Sequence, residues 1–262
     1  MADPKPLAGQ HALVTGGGTG IGLAIARHLG ALGASLTLVG RAIDRLEAAA
    51  AVLREITPCD ALQADVGDAD AVHRAFEALD ARGHVLRMLI NNAGVAKSAK
   101  FAETDAPVWE EMLRVNLTGV YHCIRAALPR IVAARGGRIV TVASTAGLVG
   151  YPYVSAYCAA KHGVIGLTRA LAAEYALRGV TINAVCPGYT DTDMTQRTVA
   201  NIVAKTSRTE DEARAALTVR NPQQRLVTPD EVAATVAWLC LPEAGAINGQ
   251  AISVSGGEVM VG

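Results

Sequence analysis

The stretch that most constrains the fold lies near the start of the chain. His11-Ala-Leu-Val-Thr15 is a short apolar run that stops at Gly16-Gly-Gly-Thr-Gly-Ile-Gly22, and Leu23 to Leu32 continues with helical periodicity. A strand, a glycine loop and a helix in that order aim backbone N–H groups and a helix N-terminus at a phosphate. The glycines read T-G-x-x-x-G-x-G through Gly16, Gly20 and Gly22, and Ile21 stands where the third glycine of G-x-G-x-x-G would fall. A plain left-handed turn would also ask for glycine, but three spaced glycines between strand and helix favour phosphate binding.

The same alternation runs through the rest of the chain. Ser35–Val39, Asp60–Ala64, Arg87–Ile90, Gly137–Ala143, Val180–Val185 and Ala251–Val254 read as strands two to seven. Between them lie helical segments at Ala42–Ile56, at Asp68–Ala81 with Asp68 as its cap, from Pro107 toward Ala134, and from Tyr157 to Tyr175. Thr228-Pro-Asp-Glu231 has the form of an N-cap with Pro at N1 and an acid at N3, opening a helix through Leu241. Alternating strands and helices imply an α/β fold, a parallel sheet with helices on both faces. No linker or repeat divides the 262 residues, so one domain is expected, with a polar segment inserted at 193–225.

Composition removes several classes of function. Lys+Arg and Asp+Glu are both 24, so no net charge points to nucleic acid or an anionic membrane. No apolar stretch has the length of a membrane span, and Met1-Ala-Asp-Pro-Lys-Pro-Leu-Ala lacks the apolar core of a signal peptide, so a cytoplasmic protein is expected. The five cysteines are scattered without C-x-x-C or a Cys/His cluster, which argues against a metal site and a disulfide scaffold.

Candidate chemistry sits between Ser144 and Lys161. Ser144 closes strand five, where open α/β sheets place their ligands, and Tyr157 and Lys161 are four apart on one helix face. A phenol, an ammonium and a hydroxyl that converge suit proton transfer at an alcohol or carbonyl carbon. The ammonium is expected to lower the phenol pKa from near 10 toward the working range. Alone, Y-x-x-x-K is a weak signal, because most such pairs are surface residues.

A second clue follows strand two. A ribose-binding acid belongs roughly 20 residues past the glycine loop, and this chain has Gly40-Arg41 there, with no carboxylate. A guanidinium at that place suits a 2′-phosphate better than a bare ribose, although an ordinary solvated arginine opening a helix is the competing account.

The ordered set T-G-G-G-T-G-I-G at 15–22, Asp65, N-N-A-G at 91–94, Asn116, Ser144, Y-C-A-A-K at 157–161 and P-G at 187–188 resembles the short-chain dehydrogenase/reductase family over roughly residues 8–257. The resemblance implies a single doubly wound, seven-stranded Rossmann-type sheet with a small helical lid at about 193–225. It also implies Tyr157 as general acid/base, Ser144 as binder of the substrate oxygen and Lys161 on the nicotinamide ribose. Asn116 would hold a water in a proton relay. For the cofactor it implies contacts at Gly16, Thr19, Gly20, Ile21 and Gly22 in the loop and at Arg41 after strand two. Asp65 and Val66 would meet the adenine, with Asn92, Ala93 and Gly94 beyond it, and Tyr157 and Lys161 would reach the ribose. Pro187, Gly188, Thr190 and Thr192 would surround the nicotinamide. Without the family, Asn116 would read as a helix-interior residue and Thr192 as a cap.

Two positions depart from the family's pattern. Arg87 stands before N-N-A-G where an aspartate is usual, which alters a sheet-edge contact. Arg41 replaces the acid of NAD-preferring members, so NADP(H) is favoured and NAD(H) stays open. The expected activity is hydride transfer between nicotinamide and a carbonyl or secondary alcohol, with a 3-oxoacyl-CoA thioester as one candidate and small aromatic or aliphatic ketones as the alternative. Arg197, Lys205, Arg208, Arg214, Arg220 and Arg225 on the lid, with Lys97 and Lys100, would suit coenzyme A phosphates at the rim, unless they only keep the lid solvated. A non-catalytic scaffold would not need Ser144, Tyr157 and Lys161 intact, and a nucleotide-sugar epimerase would need a longer chain. The family also implies a homotetramer formed through the long helices, with Val120, Ile124, Val164 and Leu167 as candidate interface residues.

Overall fold

A computed structural model describes residues 5–260. Its centre is one parallel sheet of seven strands in the order β3-β2-β1-β4-β5-β6-β7. The strands are β1 His11–Thr15, β2 Ser35–Gly40, β3 Cys59–Gln63, β4 Leu86–Asn91, β5 Gly137–Val142, β6 Val180–Pro187 and β7 Ala251–Val254. Each lies within about two residues of its expected place. All six pairings are parallel, so both faces of the sheet must be covered and successive residues serve opposite cores. On β1, Ala12 and Val14 pack into the core beneath α1 Gly20–Ala31, α2 Ile43–Leu53 and α9 Pro229–Cys240, while Leu13 enters the opposite one. That second core lies beneath α3 Ala69–Ala81, α5 Gly119–Ala133 and α6 Ser155–Tyr175. Strand order reverses between β1 and β4, and the crevice this opens at the carboxyl ends of the strands is where doubly wound sheets bind ligands.

Three expectations change. Helix α1 begins at Gly20 rather than Leu23, so the second half of the glycine loop is already the helix's first turn. The long helix expected from Pro107 toward Ala134 is α4 Ala106–Leu113 and α5 joined by a π turn at Arg114–Thr118, where one extra residue widens the helix. Arg87 lies on β4, in the middle of the sheet, and its guanidinium donates to the Ala134 carbonyl at the end of α5 rather than serving a sheet edge.

The segment expected as a helical lid holds α7 Asp193–Lys205 and α8 Glu210–Thr218, the latter started by a Thr209/Glu212 capping box. Val199, Ala213 and Leu217 form a small core of its own, against which Tyr189 and Ile202 pack. The segment leaves and rejoins the sheet at one point. Thr190 pairs with Val227, Asp191 N donates to the Val227 carbonyl (2.9 Å) and Val227 N to the Tyr189 carbonyl (2.9 Å).

Candidate active site

At the head of β1 the backbone turns back on itself through Gly16 (φ 66°) and Gly20 (φ 53°). A side chain at Gly22 would begin 2.2 Å from the Gly16 carbonyl oxygen, so only glycine allows that turn. Thr19 occupies the N-cap of α1 and makes no capping bond, and no acid lies in the first turn. The N–H groups of residues 20–22 are therefore left for an anion. Ile21 lies partly buried in that turn. Asn92, expected to reach toward a ribose, turns its amide back on the loop: Nδ2 donates to the carbonyls of Thr15 (3.0 Å) and Gly16 (3.2 Å). Thr15 Oγ1 accepts from the amides of Asn92 (2.9 Å) and Ala93 (3.0 Å), which fastens β4 to β1 across the switch point.

Arg41 is exposed directly after β2 and its carbonyl accepts from Gln63 Nε2 at 2.8 Å. The backbone of Arg45, a residue the sequence pattern did not single out, stands 3.5 Å from where a side chain on Gly18 would begin. The first turn of α2, which follows Arg41, and the glycine loop thus share one end of the crevice. Asp65 follows β3; its Oδ1 accepts from Gly67 N (2.9 Å) and its Oδ2 from Arg114 Nη1 (3.1 Å). Val66 is buried against Gly119.

The proton-handling residues come together at the carboxyl ends of β5 and β6. Ser144 Oγ accepts from Ala146 N at 3.1 Å, and Ser144 stands close enough to the Tyr157 hydroxyl to favour its phenolate. Lys161, 4% exposed, donates from Nζ to the Val142 carbonyl (2.9 Å) and sits 5.6 Å from the centre of the Tyr157 ring. Burial brings its pKa down to about 8, opposed by Cys186. The expected lowering of the phenol pKa is overturned in this geometry. Burial pushes Tyr157 up to about 12 and nearby Ser144 opposes it, while the ammonium lies over the ring and is bonded elsewhere. Asn116, fully buried in the π turn, donates through Nδ2 to the carbonyls of Val95 (2.9 Å) and Met112 (3.0 Å) and accepts from Val95 N (3.1 Å). A side chain on Gly94 would begin 2.9 Å from Asn116 Oδ1 and 4.0 Å from Lys161 Nζ, so these two residues face the same spot.

Pro187 ends β6 and Gly188 N donates to the Val254 carbonyl at 3.1 Å. Thr190 Oγ1 is turned to the Gly188 carbonyl (3.0 Å) and Thr192 Oγ1 to the Thr190 carbonyl (3.3 Å). The Thr192 methyl group lies 3.3 Å from the side-chain position of Gly20, which closes the ring between the last loop and the first.

Residues 10–202 match the family model described as short chain dehydrogenase. The chain belongs to the short-chain dehydrogenase family. Among curated relatives of this family, it is 36% identical over 257 residues to the 3-oxoacyl-acyl-carrier-protein reductase FabG of Vibrio harveyi, covering 97% of this chain and 99% of that one. It is 37% identical over 250 residues to 2-(S)-hydroxypropyl-CoM dehydrogenase 3 of Xanthobacter autotrophicus, with 95% and 96% covered. A variant of actinorhodin polyketide ketoreductase solved with NADPH superposes with a TM-score of 0.91 at 36% identity, over 95% of this chain and 97% of that one. This short-chain dehydrogenase is therefore an NAD(P)-dependent oxidoreductase. Its relatives act on unlike substrates, so membership alone does not choose one.

The residues present fit a dinucleotide. Gly16 and Gly22 have no room for side chains, Gly20 takes a left-handed backbone, α1 offers an uncapped end without an acid, and an exposed guanidinium stands where a carboxylate would repel a 2′-phosphate. Among the described residues no helix is long and apolar enough to cross a membrane, and no His, Cys, Asp and Glu cluster has the form of a metal site.

Two residues on the substrate side escaped the sequence pattern. Tyr151 Oη hydrogen-bonds Thr145 Oγ1 (3.0 Å) and Glu258 Oε1 (2.8 Å). They are 107 residues apart, and no local motif joins them.

Proposed function

We propose that this enzyme is an NADP(H)-dependent reductase of ketones, running in reverse as a secondary-alcohol dehydrogenase. The observation that carries the reading is the convergence of Ser144, Tyr157 and Lys161 at the carboxyl end of β5, beside the glycine cradle. Ser144 Oγ and Tyr157 Oη together hold the substrate oxygen. A phenol pushed up to about 12 stays protonated at neutral pH, which is the form that donates as a carbonyl oxygen becomes a hydroxyl. A bound nicotinamide supplies the hydride to the carbon. Lys161 holds the nicotinamide ribose, and with Asn116 it forms the side of the pocket from which the tyrosine proton is restored. Arg41 reads the 2′-phosphate, the N–H groups at 20–22 take the pyrophosphate, Asp65 and Val66 border the adenine, and residues 92–94, 187–188, 190 and 192 border the remainder. Segment 193–225 acts as the lid of a single domain.

Coenzyme A thioesters are the finer substrate reading, and the relative named a 3-oxoacyl-acyl-carrier-protein reductase supports the thioester class. The lid's charges support it less than the sequence suggested. Arg214 pairs with Glu210, Arg225 with Glu231 and Arg220 approaches Glu258, while Lys100 pairs with Glu103. Lys97, Arg197, Lys205 and Arg208 remain as exposed rim cations without a carboxylate partner among the described residues. A 3-oxoacyl-CoA compared with the matching simple ester decides the point: equal kcat/KM removes coenzyme A from the reading.

The decisive test is NADPH oxidation against a ketone panel by the wild type and by Tyr157→Phe. Turnover by the wild type, lost by at least about a thousandfold in the variant while NADPH binding persists, is the expected result. Near-normal turnover by Tyr157→Phe would sink the assignment.

A further inference from the structure

The segment that follows β3 is tied to the π turn by a side chain that the hydride-transfer machinery does not use. Arg114 opens that turn. Its Nε and Nη2 edge grips both oxygens of Glu111, at 2.7 Å and 3.1 Å, and its remaining Nη1 donates to Asp65 Oδ2 at 3.1 Å. A guanidinium is a rigid planar fork, so once Glu111 holds one edge the direction of Nη1 is fixed, and Asp65 lies in it.

Two glycines admit this contact. A side chain on Gly67 would begin 2.8 Å from the Arg114 guanidinium carbon and closer still to Nη1, so the guanidinium occupies the place that a larger residue would fill. At the far end of the π turn, a side chain on Gly119 would begin 2.8 Å from Val66 Cγ2. Both ends of the turn are therefore seated on residues 65–67, at the carboxyl end of β3.

The Asp65 carboxylate is fixed by this seat without being used up. Oδ1 accepts from Gly67 N (2.9 Å) and Oδ2 from Arg114. A carboxylate offers about four lone-pair sites, so each oxygen can accept once more. The side chain keeps 29% of its exposure, which lets a donor reach it from the crevice. As a partly exposed ion pair the contact contributes at most about 1 kcal/mol to stability. What it sets is the direction in which the carboxylate points.

We propose that Arg114 is a positioning residue for the cofactor, holding Asp65 so that its carboxylate accepts from the exocyclic amino group of the adenine. The inference rests on the reading that Asp65 borders the adenine, and adds the residue that makes this border selective for an amino group. A purine with a carbonyl in that place brings an acceptor against an acceptor. Without the guanidinium, Asp65 keeps only the Gly67 amide and is free to turn toward solvent.

The test reads binding rather than turnover. Dissociation constants are measured by fluorescence titration for NADPH and for its hypoxanthine analogue, in which a carbonyl replaces the adenine amino group. Their ratio is the quantity compared, because a general weakening of the cofactor site cancels in it. The wild type is expected to favour NADPH by about tenfold or more. Arg114→Met removes the guanidinium and keeps an apolar stem, whereas Gly67→Ala displaces the guanidinium and keeps its charge. Each should bring the ratio to within about threefold of one. If Gly67→Ala does not fold, Arg114→Met at its partly exposed position carries the measurement. Wild-type discrimination that Arg114→Met retains overturns the inference alone and leaves Arg114 a structural ion pair. Equal affinity of the wild type for the two nucleotides overturns the reading of Asp65 and this inference with it.

Discussion

At the scale of single residues, two positions carry the proposed cofactor preference and its pH dependence. Arg41 is exposed after β2 in place of a carboxylate and has no carboxylate partner among the described residues, so its guanidinium is available to a phosphate. NADPH should bind more tightly than NADH, and Arg41→Ala should weaken NADPH by roughly 10- to 100-fold while changing NADH little. Equal dissociation constants in the wild type, measured by fluorescence titration, would contradict this. Lys161 is a base whose pKa is brought down from 10.5 to about 8, so its charge is present below pH 8 and leaves as pH rises through it. If that charge holds the ribose and supports the tyrosine, kcat/KM for ketone reduction falls through about pH 8. A profile flat to pH 10 would remove Lys161's charge from the mechanism. Ser144, Tyr157 and Lys161 were legible in the sequence because one strand end and one helix turn bring them together. The pKa of Tyr157 was not, because helix spacing places the ammonium near the ring but does not show that Nζ is bonded to the Val142 carbonyl. Glu258 and Tyr151 meet only through the tertiary fold, which no local spacing reports.

At the scale of elements, all seven strands were readable because strands of a parallel sheet are short, mostly apolar runs set between helical segments. The π turn at 114–118 was not, since its extra residue is accommodated by Asn116 bonding Val95 and Met112 and leaves the apolar pattern nearly continuous. Asn116→Ala should cost about 1–2 kcal/mol, because the N–H and carbonyl of partly buried Val95 lose their partner, and urea unfolding measures it. A second element-level device lies at the other end of the sheet. His11 on β1 is buried between the hydroxyls of Ser35 (2.8 Å) and Thr37 (2.9 Å) on β2, and its ring stacks on His84 at 4.0 Å. Asp60 on β3 bonds His84 (2.8 Å) and meets Arg82 (3.4 Å). Burial first, and His84 second, bring His11 down from 6.5 to about 4, with Asp60 opposing. The unfolded chain therefore takes up a proton at His11 before the folded one does. Stability falls as pH drops below about 6.5 and this contribution levels off below about 4, at a cost of roughly 3 kcal/mol. His11→Gln should flatten the change in urea midpoint between pH 7 and 4.5; an undiminished slope would point to other groups.

At the scale of the whole molecule, assembly and the lid remain to be connected. Val120, Ile124 and Val164, candidates for an interface, lie instead in the core beneath α5 and α6, and Leu167 is only partly buried. The outer faces of those helices enclose a groove of about 530 Å³ lined by Tyr121, Leu128, Leu167, Leu171 and Tyr175, with Ile124 at its floor. We expect a homotetramer that covers this groove; a monomeric mass by light scattering at micromolar concentration would refute it. The segment 193–225 was recognisable as an insertion by its polarity, but only the family resemblance implied that it is helical, because its apolar positions are few and serve a core of their own. The single exit and return between Thr190 and Val227 has an evolutionary consequence. A lineage can exchange what lies between Thr192 and Val227 as a cassette without altering any rung of the sheet, and so change substrate while the cofactor half stays fixed. The exchange is not quite free. Asn221 crowds the side-chain position of Gly256 at 2.2 Å and Pro222 that of Gly257 at 3.3 Å, so an incoming cassette must arrive with a C-terminal turn that matches it.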